Sequence, residues 1–138
     1  MNELKTLTIL FRTTNTFEQW IKEDIKKYHL NVTEFGVLEA LYHKGELTIQ
    51  ALKDKILIAN SSLTYVLSQL IDKAFIHKRQ QTHDKRVFTI SLTTKGERVF
   101  KSIYRMHLIN MRTKLNVLTK NEELTLQTLL KKIGKQEG

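Results

Sequence analysis

The chain has 138 residues, 41% of them hydrophobic, with 23 Lys/Arg against 14 Asp/Glu and no cysteine. That length fits one domain, or one domain with a helical extension for assembly, and the apolar share suffices for a core. The absence of cysteine excludes disulfides, thiolate nucleophiles, thiol redox switching and Cys-ligated metals, and is compatible with a cytoplasmic protein. No run approaches 18 apolar residues, and no apolar stretch follows Met1-Asn-Glu-Leu-Lys, so neither a membrane span nor a secretory signal is expected. The net charge of +9 is uneven. Residues 1–50 hold six Lys/Arg against seven Asp/Glu, residues 51–101 ten against four, and residues 102–138 seven against three. The basic excess peaks in the middle of the chain, which favours a polyanionic partner.

Residues 3–29 contain neither Gly nor Pro and read as one long helix. Leu4, Leu7, Phe11, Thr14, Ile21, Ile25 and Tyr28 recur at spacings of three and four, interrupted at Glu18, and Leu10, Phe17 and Trp20 widen the apolar side. A helix so long and so broadly apolar is more than one small domain needs, so a subunit contact is expected in addition to a core role. Asn31-Val-Thr-Glu34 is a capping-box variant. The helix it opens, Thr33 to His43, carries Phe35, Leu38, Leu41 and Tyr42 and ends at Lys44-Gly45. Glu46-Leu47-Thr48 is then a short extended link that can add a third strand to the sheet formed further on.

Thr48 is an N-cap for a short helix running to Ile56. A second helix follows in Asn60-Ser-Ser-Leu-Thr-Tyr-Val-Leu-Ser-Gln-Leu70. Its Leu63, Val66, Leu67 and Leu70 form one side to bury. Its other side carries Ser61, Ser62, Thr64, Tyr65, Ser68 and Gln69, small hydrogen-bonding groups without a charge among them. Two short helices, the second with a neutral polar face, are what a helix-turn-helix needs to read base edges in a major groove. Phe75–Gln80 and Arg86–Leu92 are β-prone segments around a polar tip, residues 81–85. Val87, Thr89 and Ser91 alternate with Phe88, Ile90 and Leu92, which predicts a hairpin with one face on the core. Lys78, Arg79, Lys85 and Arg86 make that hairpin a basic wing. Beyond it, Thr93 or Thr94 can cap a long helix to about Asn116, and Thr94 with Glu97 also fits a capping box. Its apolar or semi-apolar positions include Val99, Phe100, Ile103, Tyr104, His107, Leu108 and Met111. Thr119-Lys-Asn-Glu122 signals a last helix with Leu124, Leu126, Leu129, Leu130 and Ile133 on one face, closed by Gly134.

These residues resemble the MarR family of winged-helix transcription regulators over about residues 4–135. The most specific likeness is Asp84-Lys-Arg86 with Ile90-Ser-Leu-Thr93 and Gly96, which resembles the family's D-x-R…LT-x-x-G wing signature. Lys73-Ala-Phe-Ile-His-Lys-Arg79 resembles the segment leading into the wing, with Ala74 where the family usually has Gly. The expected fold is mainly α with a small β-hairpin wing. Residues 31–96 would form the winged helix-turn-helix, and residues 1–30 and 97–138 the helices of a dimerisation bundle.

The resemblance implies a homodimer on a pseudo-palindromic operator of double-stranded DNA. By carry-over, Arg86 is the wing arginine that enters the minor groove, where negative potential favours a cation. Asp84 would orient it or its neighbours, or form the turn at the hairpin tip, or both. Ser61, Ser62, Thr64, Tyr65 and Gln69 are the expected base- and backbone-reading residues of the recognition helix. Lys53, Lys55, Lys78, Arg79 and Lys85 are assigned to phosphates. Family members are commonly released from DNA by small, often aromatic ligands, and a chain without cysteine cannot use thiol oxidation instead. Phe11, Phe17, Tyr42, His43, Tyr104 and His107 are the expected lining residues for a phenolic or quinone-like effector, although aromatics at helical spacing are more often core.

Enzymatic and metal-bound alternatives lack residues to carry them. His29, His43, His77, His83 and His107 show no ligand spacing, and no Gly-rich phosphate loop exists among five glycines. Glu122-Glu123 and Glu23-Asp24 are adjacent on helices and point apart. No enzyme, metal or cofactor is therefore expected. The rival functions that remain are a DNA-binding or architectural protein without ligand gating, and a winged-helix adaptor for another protein.

Overall fold

The computed structural model describes residues 2–56 and 62–135. The chain divides into two compact units, Met1–Arg105 and Met106–Gly138. The first opens with α1 (Lys5–Lys26), α2 (Val32–Lys44), β1 (Leu47–Thr48), α3 (Ile49–Lys55) and α4 (Leu63–Asp72). It continues through β2 (Ile76–Gln80), β3 (Phe88–Leu92) and the start of α5 (Thr94–Leu115); the second unit holds the end of α5 and α6 (Lys120–Gly134). The start expected for α4 at Asn60 lies outside the described residues.

Helix α2 is the centre of the first unit. Its capping box forms as the spacing predicts: Glu34 N donates to Asn31 Oδ1 (2.8 Å), and Asn31 N donates to Glu34 Oε1 (3.1 Å). Nine of its thirteen residues are buried, so it is enclosed on nearly every side rather than amphipathic. Val37 and Leu38 are fully buried and pack with Leu52 of α3, Val66 and Leu70 of α4, Ile90 of β3 and Phe100 of α5. Gly45 then takes φ +78°, a conformation costly for side chains with a Cβ, and ends α2. Thr48 caps α3 through its hydroxyl, which accepts from Ala51 N (3.1 Å).

The three strands form an antiparallel sheet in the order β1-β3-β2. Leu47 faces Ile90, and Lys78 and Arg79 face Ile90 and Thr89 across the hairpin. The expected third strand is therefore present. The simple in-and-out alternation of β3 is not: Thr89 is buried beside Ile90. The reason is that β3 lies between two strands, and the Thr89 hydroxyl donates to Arg79 O (3.4 Å).

Thr93, not Thr94, caps α5, with its hydroxyl accepting from Gly96 N (2.9 Å). Gly96 therefore takes the third helical position and Glu97 falls one place too late for a capping box. Thr93 N donates to Phe75 O (3.0 Å), and a Cβ added at Gly96 would lie 2.0 Å from that oxygen. Only glycine lets the start of α5 approach the strand entrance so closely.

In the second unit, Arg112 Nη1 and Nη2 donate to Glu123 Oε2 (3.0 Å) and Oε1 (2.7 Å). Nη2 also reaches Asn116 Oδ1 (2.7 Å). The guanidinium holds the Glu123 carboxyl below the usual carboxylate range. Thr119 and Glu122 form the expected capping box of α6. Gly134 does not close that helix; it remains helical, and Lys135 takes the left-handed conformation at φ +55°. No helix among the described residues is long and apolar enough to cross a membrane.

Candidate nucleic-acid interface

Helix α4 sorts its side chains as the sequence predicts. Val66, Leu67 and Leu70 are buried in the core, while Ser62, Thr64, Tyr65 and Ser68 are exposed and Gln69 is half-buried. Ser61 lies outside the described residues. Ser62 occupies the N-cap, and its side chain makes no capping bond among the described residues. Tyr65 is 61% exposed, and its hydroxyl accepts from Gln69 Nε2 (2.8 Å) one helical turn on. The two predicted reading residues thus form one hydrogen-bonded unit on the outer face.

The wing tip is built around Asp84. Its carboxylate accepts from Arg86 N (3.0 Å), Arg86 Nε (3.1 Å) and Arg86 Nη2 (3.2 Å), while its carbonyl accepts from Val87 N (3.0 Å). Asp84 is therefore both the turn former and the orienting partner. The Arg86 hydrogen bonds hold its carboxyl below the usual carboxylate range. Arg86 itself leaves 91% of its side chain exposed. Gln80 Nε2 closes the hairpin on Lys85 O (2.7 Å), leaving the Lys85 residue exposed at the tip.

The remaining cations divide into two groups. Lys53 and Lys55 are exposed on the last turn of α3. Lys78 rests 4.7 Å from the centre of the Phe88 ring, with the whole residue exposed. Lys53 and Lys78 also rim a hollow of about 260 Å³ that includes Leu67, Ser68 and Asp72. Arg79 differs, because its Nη2 donates to both Glu46 oxygens (3.1 and 3.2 Å).

Comparison with known proteins decides what this arrangement belongs to. Residues 19–103 match the model of the family described as transcriptional regulator SarA/Rot. The chain is 34% identical over 131 residues to the HTH-type transcriptional regulator MhqR of Bacillus subtilis, covering 95% of this chain and 90% of that protein. This chain is a winged helix-turn-helix transcriptional regulator of the MarR/SarA family. Among solved structures, a cysteine-to-serine mutant of E. coli MarR complexed with operator DNA superposes with a TM-score of 0.78 at 25% identity, covering 96% of each chain. Bordetella bronchiseptica BpsR, whose DNA binding is regulated by 6-hydroxynicotinic acid, shares the fold with a TM-score of 0.80 at 18% identity. That alignment covers 94% of this chain and 98% of BpsR.

Membership of this family makes the chain a DNA-binding regulator rather than an enzyme. Of the six aromatic and histidine residues predicted to line an effector site, three come together. His43 lies edge-on to Tyr104 (4.9 Å between ring centres), and Tyr42 lies 5.3 Å from His43 and 5.8 Å from Tyr104. Phe100, absent from that prediction, sits at the base of the cluster, 5.3 Å from Tyr42 and 5.9 Å from Tyr104. Burial raises the Tyr104 hydroxyl above the ordinary tyrosine range, with Glu39 adding to the effect. Phe11 is exposed on α1, and Phe17 is set edge-on to Trp20 (4.9 Å). His107 is buried on the second-unit part of α5.

Sequence reasoning also missed Glu46 as the partner of Arg79. The antiparallel register brings the entrance of β1 and strand β2 to opposite sides of β3, and that register depends on long-range pairing. No local spacing rule encodes the contact.

Proposed function

We propose that two copies of this chain hold an inverted-repeat operator and repress transcription from it until a small aromatic effector releases them. Each α4 lies in a major groove, with Ser62, Thr64 and the Tyr65–Gln69 pair against base edges and backbone. Each wing lies over the neighbouring minor groove. Ser61, beside Ser62 in sequence, belongs to the same proposed surface. Lys53, Lys55, Lys78 and Lys85 contact phosphates and supply affinity without sequence choice. Arg79 contributes less, because a phosphate must compete with Glu46 for its guanidinium.

The observation that carries this reading is the presentation of Arg86. Asp84 engages Nε and one hydrogen on Nη2, which fixes the guanidinium plane and leaves the other hydrogens for acceptors on DNA. An exposed cation held in one orientation loses less side-chain freedom on entering a minor groove.

The dimer is supported by apolar surface left bare on both terminal helices. On α1, Leu7, Ile9 and Phe11 are exposed, as is Leu4 at its N-cap; on α6, Leu124, Leu126, Leu129, Leu130 and Ile133 are exposed. A second copy is the occupant that would cover these faces, giving residues 1–30 and 97–138 their dimerisation role. The effector site is centred on Tyr42, His43 and Tyr104, with Phe11 and Phe17 as further contributors. The heterocyclic acid that regulates BpsR illustrates the ligand class.

The test is a titration of Arg86→Ala on an operator selected from genomic DNA. Operator affinity should fall by about 1–3 kcal/mol while folding is unchanged. An unchanged titration would contradict the wing assignment. Equal binding of the native protein to operator and random DNA at one salt concentration would instead identify an architectural protein. Absence of operator binding would leave the adaptor reading.

A further inference from the structure

Glu34 has a second role that its place in a capping box does not require. Its residue is 4% exposed, and while Oε1 accepts from Asn31 N, Oε2 accepts from Lys73 Nζ at 2.8 Å, 39 positions away in sequence. Lys73 is the C-cap of α4, the helix assigned to the major groove. Its charge lies at the C-terminal, negative end of the α4 dipole. The same junction is tied from another direction. Lys95 Nζ donates to Lys73 O (3.2 Å), Thr93 Oγ1 donates to Ala74 O (2.7 Å), and Gly96 sits against the Phe75 carbonyl. Ala74, between them, is held left-handed at φ +62°.

A buried carboxylate is costly unless compensated, and an ion pair of this kind is weak evidence for stability alone. A Gln at position 34 would still cap Asn31, since capping boxes use Glu or Gln alike. The charge is therefore needed for Lys73, not for the cap. We infer that Glu34 and Lys73 are a positioning pair: they fix the direction of α4 relative to α2, and through it the placement of the reading face in the groove. This rests on α4 being the recognition helix. Neither residue touches DNA in this account.

The experiment is a double-mutant cycle with Glu34→Gln, Lys73→Met and the pair together, read by operator affinity, by salt dependence and by the denaturation midpoint. Lys73→Met keeps the apolar stem, and Glu34→Gln keeps the cap. Each single variant should weaken operator binding roughly 2- to 30-fold, with the slope of affinity against salt unchanged. The double variant should be no weaker than the worse single one, because the two act through one contact. Variants that lose stability but bind operator as tightly as the native protein, when fully folded, would overturn the inference. So would a salt slope lowered by about one in Lys73→Met alone, with Glu34→Gln binding normally, since that marks Lys73 as a phosphate contact. Arg86→Ala, run alongside, separates failures: if it weakens binding while the cycle does not, only the positioning role falls.

Discussion

Helix α2 and helix α6 each begin with a capping box and carry several apolar residues, yet their fates differ. In α2 nine residues are buried within the first unit; in α6 none is, and five large apolar side chains face outward. Both caps satisfy backbone groups at a helix start, so capping does not distinguish them. What distinguishes them is where the apolar surface goes. The centre of the chain completes its own core around Val37 and Leu38, whereas the C-terminal helix leaves its leucines for another surface. Bare apolar faces of this extent mark association sites. In the proposed dimer a second copy would cover that face, whereas the core around α2 needs no partner.

The sharpest way to break that contrast is to charge the α6 face. Leu126→Glu with Leu130→Glu should weaken self-association more than about 100-fold, because an unpaired carboxylate taken out of water costs several kcal/mol. Sedimentation across a concentration series reads this. Self-association unaffected by the change would remove α6 from the proposed interface. Next in size is Leu38→Ala in α2, expected to cost about 2–5 kcal/mol of folding stability by leaving a cavity. Denaturant unfolding reads it, and a cost comparable to that of a surface substitution would refute the central role of α2. The smallest effect concerns the turn after α4. Ala74→Gly should raise stability by about 1 kcal/mol, since a non-glycine residue is held left-handed there. A loss of stability would show that the turn does not strain the alanine.

The sequence made legible whatever depends on neighbours three or four positions apart. Asn31 with Glu34, Thr48 with Ala51, and Thr119 with Glu122 form because a side chain and a backbone group at that spacing meet in any first helical turn. The neutral face of α4 was readable for the same reason. Where two local solutions competed, as at Thr93 and Thr94, the choice was made by Phe75, whose carbonyl binds Thr93 N and excludes any side chain at Gly96. Glu34–Lys73 and Glu46–Arg79 join residues more than thirty positions apart, and spacing carries no trace of them. Burial of Thr89 likewise follows from β1 pairing on the far side of β3, not from the alternation within β3 itself. Within the proposed site, Tyr65–Gln69 and Asp84–Arg86 are likewise local contacts, four and two positions apart, whereas the ties of Glu34 and Glu46 are set by the tertiary fold.

The most direct test of how this regulator meets DNA is hydrogen–deuterium exchange of the native protein with and without its operator duplex. Binding should slow exchange in peptides covering residues 62–69 and 81–88, the outer turns of α4 and the wing tip. Protection confined to other parts of the chain, with those two segments exchanging as before, would contradict the account.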